Sequence, residues 1–152
     1  MMKIAIGNDH RGYKLKLVLL DYMKELGHDV TDMGFDNEES SDHPIVAIKV
    51  AEMVTSGECD RGVLICGSAV GMTIAANKVK GAAAFSPTTV LQAKLSRGHN
   101  DTNVITFGAG FIEAELAKEI LKTWLETEAD DAERYILRRR QITDYENNCE
   151  SS

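Results

Sequence analysis

Cys66 stands at the end of a short apolar run, LIC, and is followed by GSAVG, Gly67 to Gly71. Two glycines within five residues permit a tight turn whose amide N–H groups converge on one point beside a helix start, an arrangement that holds negative charge. Amide donors at a helix N-terminus favour thiolate, so a thiol at the lip of such a turn is a candidate base or nucleophile. Two other readings compete. Cys66 can be a small apolar filler, or a redox thiol, and the redox reading lacks a resolving cysteine, since Cys59 and Cys149 stand at no useful spacing. Glycines at 67 and 71 with no Lys-Ser/Thr pair behind them match neither a Walker loop nor GxGxxG, so mononucleotide binding has little support.

Other chemistry-bearing residues come directly after a predicted strand, lie close to one, or sit in the tail. GNDHRG delivers Asp9 and His10; Asp9 is equally explained as a cap on the following helix, and His10 gains weight only from its place at a strand end. RGHNDTN carries His99 and Asn100, although its Asn and Asp residues also favour a plain turn. His28 and His43 read as ordinary surface or half-buried histidines, and Asn77 as a cap or local hydrogen-bonding group. Cys59 lies between Glu58 and Asp60, where negative charge discourages a thiolate. Arg134 and Arg138 are i and i+4, so a tail helix presents both on one face, able to grip a phosphate from two sides; Arg139 and Arg140 read as solvated. A nucleophilic hydrolase wants an adjacent base and a leaving-group acid. An isomerase wants a base, a nest that holds an enediolate, and a second acid or base at the ring oxygen; Cys66, the loop and His99 fit that set.

The elements that must position these groups alternate. Short apolar runs at Lys3–Gly7, His28–Met33, Gly62–Cys66, Ala82–Phe85 and Val104–Phe107 read as strands, with helical periodicity between them. The stretch 13–27 places Leu15, Leu19 and Met23 on one stripe and stops at Gly27, and further helices are predicted at Pro44–Thr55, Val70–Lys78, Pro87–Ser96 and Phe111–Glu126. FDNEESSD, Phe35 to Asp42, reads as an acidic surface loop. The pattern is a Rossmann-like, three-layer α/β/α domain with a five-stranded parallel sheet over 1–130, and a C-terminal helical extension over 131–152 that packs on a partner subunit. Of the apolar face from Phe111 to Leu125, most is assigned to the core. In such a sheet ligands gather beyond the carboxyl ends of the strands, and the candidate residues are expected to converge there. At 152 residues and 43% apolar content the chain suits one domain with its own core. A net charge of −7 argues against nucleic acid and anionic membrane as partners, leaving a small molecule or protein. No apolar run approaches a membrane span or a secretory signal, and three cysteines without metal spacing suggest neither zinc nor a disulfide framework; the expected setting is the cytoplasm.

GNDHRG, LICGSAVGMTIAANK and LSRGHNDTNVITFGAG together resemble the B-type ribose-5-phosphate isomerases and the related galactose-6-phosphate isomerase subunits, over nearly the whole chain. The resemblance implies a metal- and cofactor-free aldose–ketose isomerase of phosphorylated sugars, with D-ribose 5-phosphate and D-ribulose 5-phosphate as the first expectation. It also implies a homodimer or dimer of dimers with shared sites. Cys66 would move the proton between C1 and C2, Ser68 would relay one between O1 and O2, and the loop of Gly67, Ala69, Val70 and Gly71 would hold the enediolate. His99 would open the sugar ring from the partner subunit, with Asn100 and Asp9 on sugar oxygens and His10, Arg134 and Arg138 on the phosphate. Three positions depart from the family pattern: Gly110, where an arginine often touches the phosphate; Ala69, commonly glycine; and Tyr135, often histidine. Arg11 is the candidate replacement for the lost charge. Allose 6-phosphate, galactose 6-phosphate, a tetrose phosphate, or a non-catalytic sugar-phosphate-binding subunit are the alternatives.

Overall fold

In the computed structural model, which describes residues 1–34 and 42–151, five parallel strands form one sheet: β1 (Lys3–Asn8), β2 (Asp29–Asp32), β3 (Arg61–Cys66), β4 (Ala84–Phe85) and β5 (Val104–Gly108), in the order β2-β1-β3-β5-β4. The predicted acidic loop at 35–42 falls almost wholly outside the described residues. Period-two alternation sorts the strand side chains onto two faces. Ile4, Ile6, Val63, Ile65, Ile105 and Phe107 meet α1 (Tyr13–Glu25), α4 (Val90–Asn100) and α5 (Ala114–Glu126) on one face. Ala5, Leu64, Cys66 and Val104 meet α2 (His43–Thr55) and α3 (Val70–Asn77) on the other. Both faces are covered, which is why the central strands read as unbroken apolar runs.

Helix ends obey the chemistry that the sequence signals. Gly27 closes α1 in the left-handed region at φ 91°, with the amide of His28 reaching back to the Met23 carbonyl, and Pro44 occupies the first turn of α2. Four boundaries differ from expectation. α4 begins only at Val90, because the Thr89 hydroxyl caps it by accepting the Gln92 N–H, and it runs through Arg97-Gly98-His99-Asn100 until Asp101 turns left-handed at φ 51°. The segment predicted as a turn is therefore the last turn of a helix. β4 is reduced to two residues at the sheet edge, and Asn77 ties it to α3 through two bonds with the Ala84 backbone. α5 starts at Ala114, leaving Phe111 81% exposed, while Ile120, Trp124 and Leu125 are core as expected. The tail is a sixth helix, α6 (Glu133–Ser151), which docks on α4 of its own chain. Among the described residues no helix is long and apolar enough to cross a membrane.

Candidate active site

From β1 the chain steps outward to β2 and then crosses to β3 on β1's other side, so strand order reverses there and a crevice opens beyond the carboxyl ends of β1 and β3. Asp9 comes after β1 and Cys66 ends β3. The Asp9 amide bonds the Ile65 carbonyl, and a Cβ on Gly12 would overlap the same carbonyl oxygen, so only glycine lets the turn after β1 lie flat on β3. Asp9 does cap that turn: one carboxylate oxygen accepts the N–H groups of Arg11 (2.9 Å) and Gly12 (3.1 Å). The bland reading of Asp9 thus holds for one oxygen and leaves the other for a ligand.

Cys66 is nearly buried at 5% exposure, and its Sγ accepts the Ala69 N–H at 3.1 Å. Among the described residues no acceptor takes the amides of Gly67, Ser68 or Gly71, so the loop presents three open donors beside that sulfur. Ala69 achieves this at φ 73°, the left-handed region that costs a residue with a Cβ about 1 kcal/mol. The loop is fixed from behind. The Thr73 hydroxyl donates to the Ala69 carbonyl (2.7 Å) and pairs with the buried Thr106 hydroxyl of β5 (2.6 Å), while the amides of Ala109 and Gly110 hold the carbonyls of Cys66 and Gly67. Thr73 and Thr106 escaped the sequence reading because nothing local marks a threonine as a support. Elsewhere burial, with Glu58 and Asp60 beside it, pushes the Cys59 thiol up.

Two side chains bracket the loop. The Arg11 chain lies across Gly67, whose Cβ position would be 2.7 Å from Arg11 Cδ and 3.2 Å from Nη1, and no described acceptor takes its guanidinium. At the other end the His43 imidazole fills the space in front of Gly71, where a Cβ would overlap Nε2. His43, read from sequence as an ordinary histidine, therefore belongs to the loop's surroundings, and no signal in the sequence marks it.

His99, Asn100, Arg134 and Arg138 do not converge on Cys66 within the chain. Cys66 pairs with Gly108, the last residue of β5, whereas His99 lies in the last turn of α4, just before the chain enters the sheet at Val104. Those strand ends are about 13 Å apart. The expected convergence counted RGHN with the strand-end residues because it lies close to β5; it precedes that strand and so stands at its other end. This second group is nonetheless assembled. Buried Arg97 bonds the carbonyls of Thr102 and Thr127 and the Asp101 carboxylate, and Trp124 Nε1 donates to the Thr102 hydroxyl, which locks the exit from α4. Tyr135 stacks on His99 with ring centroids 4.2 Å apart and planes 11° from parallel. The Arg134 and Arg138 guanidinium carbons lie 4.5 and 6.0 Å from the same ring centre, as their shared helix face requires. Arg139 is not solvated: it donates to the carbonyls of His99 (3.1 Å), Gly98 (3.5 Å) and Asp130 (3.0 Å), satisfying the open end of α4. Beside His99 a groove of about 940 Å³ runs between Phe85, Leu95, Ile142 and Tyr145, all exposed.

A family model described as ribose/galactose isomerase matches residues 4–142. The chain belongs to that family. It is 46% identical to ribose-5-phosphate isomerase B of Escherichia coli, over 82% of this chain and 84% of that one. It is also 40% identical to D-erythrulose-4-phosphate isomerase of Pectobacterium atrosepticum, over 84% and 85%. The solved ribose-5-phosphate isomerase B of Clostridium thermocellum superimposes with a TM-score of 0.93 at 44% identity, covering 97% of this chain and 99% of that one. Within the ribose/galactose isomerase family, this chain's loop around Cys66 is thus set on a sheet shared with solved members.

Proposed function

We propose that the protein interconverts an aldose phosphate and its ketose, with D-ribose 5-phosphate and D-ribulose 5-phosphate as the leading pair. The observation that carries this reading is the Cys66 sulfur held by the Ala69 amide beside three open loop donors. Cys66 takes the proton from C2 and returns it to C1. The open amides hold the charge that appears on oxygen in between, where fixed donors are most effective. Ser68, exposed at the loop tip with its hydroxyl at 3.3 Å from the Val70 amide, passes the hydroxyl proton between O2 and O1. Protons and electrons balance within the sugar, so no external redox carrier enters. Asp9 and His10 receive the substrate at the end of β1, and Arg11 adds positive charge over Gly67, next to the bare Gly110.

The ring oxygen is served by His99 of a second copy. The basis is the separation of the two groups in one chain: each is ordered, and neither is complete. Exposed Val70 and Ile74 on α3 flank the loop, and exposed Phe85, Leu95, Ile142 and Tyr145 flank His99, giving apolar rims at both places. A homodimer or dimer of dimers brings them together, with the α6 extension at the joint and Arg134, Arg138 and Asn100 on the phosphate and sugar oxygens. A cytoplasmic setting, where thiols stay reduced, suits Cys66.

The relatives are named for four-, five- and six-carbon sugar phosphates, so purified protein is assayed on four- to six-carbon sugar phosphates with Cys66→Ala alongside. Turnover is expected on a pentose 5-phosphate, falling at least about 100-fold in the variant, as for loss of one positioned proton-transfer group, while phosphate-ligand binding persists. No turnover on any sugar, with binding intact, favours the non-catalytic binding subunit; a tetrose phosphate or hexose 6-phosphate turned over best reassigns the substrate.

A further inference from the structure

The His99 imidazole is held by one aromatic ring, that of Tyr135. Tyr135 lies nearly parallel to it at 4.2 Å, and the same phenol accepts a bond from Arg134 Nη2 at 3.3 Å and faces the guanidinium groups of Arg134 and Arg138. Offset stacking of two aromatic rings fixes an imidazole in plane and leaves its two nitrogens at the edge, free to work along that plane. Backbone contacts fix the helix that carries His99, through Arg97 and Arg139, but they do not set the ring's rotation. Tyr135 is the contact among the described residues that does.

We infer that Tyr135 is the positioning residue for ring opening: it sets the imidazole plane of His99 and, through the same ring, the place of Arg134. The inference rests on the reading of His99 as the ring-opening group. It makes Tyr135 matter for substrates that must open a ring and not for those that cannot close one. A tetrose 4-phosphate has its terminal oxygen esterified and stays open, whereas an aldopentose 5-phosphate forms a furanose. A group displaced by about 1 Å loses up to roughly 100-fold in rate.

The test compares Tyr135→Ala, Tyr135→Phe and His99→Asn on both substrates, together with the ring-proton resonances of His99 by NMR. The His99 signals are expected upfield from the stacked phenol, moving in Tyr135→Ala and staying in Tyr135→Phe. The kcat on the pentose phosphate is expected to fall about ten- to 100-fold in Tyr135→Ala and less than about twofold on the tetrose phosphate, any displacement of Arg134 showing as an equal rise in KM for both, with Tyr135→Phe keeping the ring-step rate. Equal losses on both substrates, or none, overturn the positioning role when His99→Asn still separates them. If His99→Asn also fails to separate the substrates, the ring-opening reading of His99 falls and takes the inference with it; unmoved His99 resonances in Tyr135→Ala show that the stack is absent and overturn it independently of activity.

Discussion

At the scale of single residues, the loop's chemistry was readable and its neighbours were not. Cys66 and the five residues after it announce themselves because a thiol before two close glycines is an unusual local pattern. Arg11 and His43 are brought to Gly67 and Gly71 only by tertiary packing, against glycines whose missing Cβ leaves room for them. For Arg11 this has a measurable consequence. Its guanidinium lies over the first amide of the loop in a protein of net charge −7, where long-range attraction for a phosphate dianion is weak and a local cation counts for more. Arg11→Ala is expected to raise KM for a sugar phosphate about tenfold, one charge-assisted bond's worth, with kcat changed less than about twofold. Arg11→Lys, which keeps charge but loses the planar fork, recovers part of it. Steady-state kinetics with inorganic phosphate as competitor reads both effects, and an unchanged KM with unchanged phosphate inhibition refutes the assignment. Asp9 teaches the complementary lesson: capping and ligand binding are not alternatives when one carboxylate oxygen is engaged and the other is not.

At the scale of elements, strand positions and the helix stripes came through because burial on two faces imposes them, and errors gathered where a helix end was judged by composition. Arg-Gly-His-Asn resembles a turn. It is helical because Arg97 is buried with its acceptors at Thr102 and Thr127, and because Arg139, two turns into α6, takes the carbonyls that the end of α4 leaves open. No local signal in the sequence joins residues 40 apart. The bond set gives α6 a structural duty separate from any role with a partner. Arg139→Ala leaves the His99 and Asp130 carbonyls to water, the Gly98 carbonyl keeping the Asp130 N–H, and is expected to cost about 1–2 kcal/mol, lowering Tm by roughly 3–6 °C, while Arg140→Ala, exposed and without such bonds, stays within about 0.5 kcal/mol. Thermal unfolding at one protein concentration compares them; equal shifts in the two variants would return Arg139 to the solvated class.

At the scale of the whole molecule, the parallel sheet sets the functional geometry. Every strand runs the same way, so a residue just after a strand and a residue just before one are separated by the sheet's length, and Cys66 and His99 fall on opposite sides of that division. Nearness to a strand in sequence brought both groups into the expected convergence, while the resemblance already implied that His99 acts from a partner subunit. A closed twofold pair would place the Cys66 end of one copy against the His99 end of the other, and twice over. Shared sites have a signature that sites within single chains lack. Cys66→Ala and His99→Asn are each expected to be nearly inactive on a pentose phosphate. Mixed in equal amounts and allowed to exchange subunits, half of the dimers contain one of each. In such a dimer one site carries both substitutions and the other carries neither, so about a quarter of the wild-type activity returns. Light scattering confirms that the exchanged species is the dimer. Activity that stays at the sum of the separate variants would confine Cys66 and His99 to independent roles within single chains.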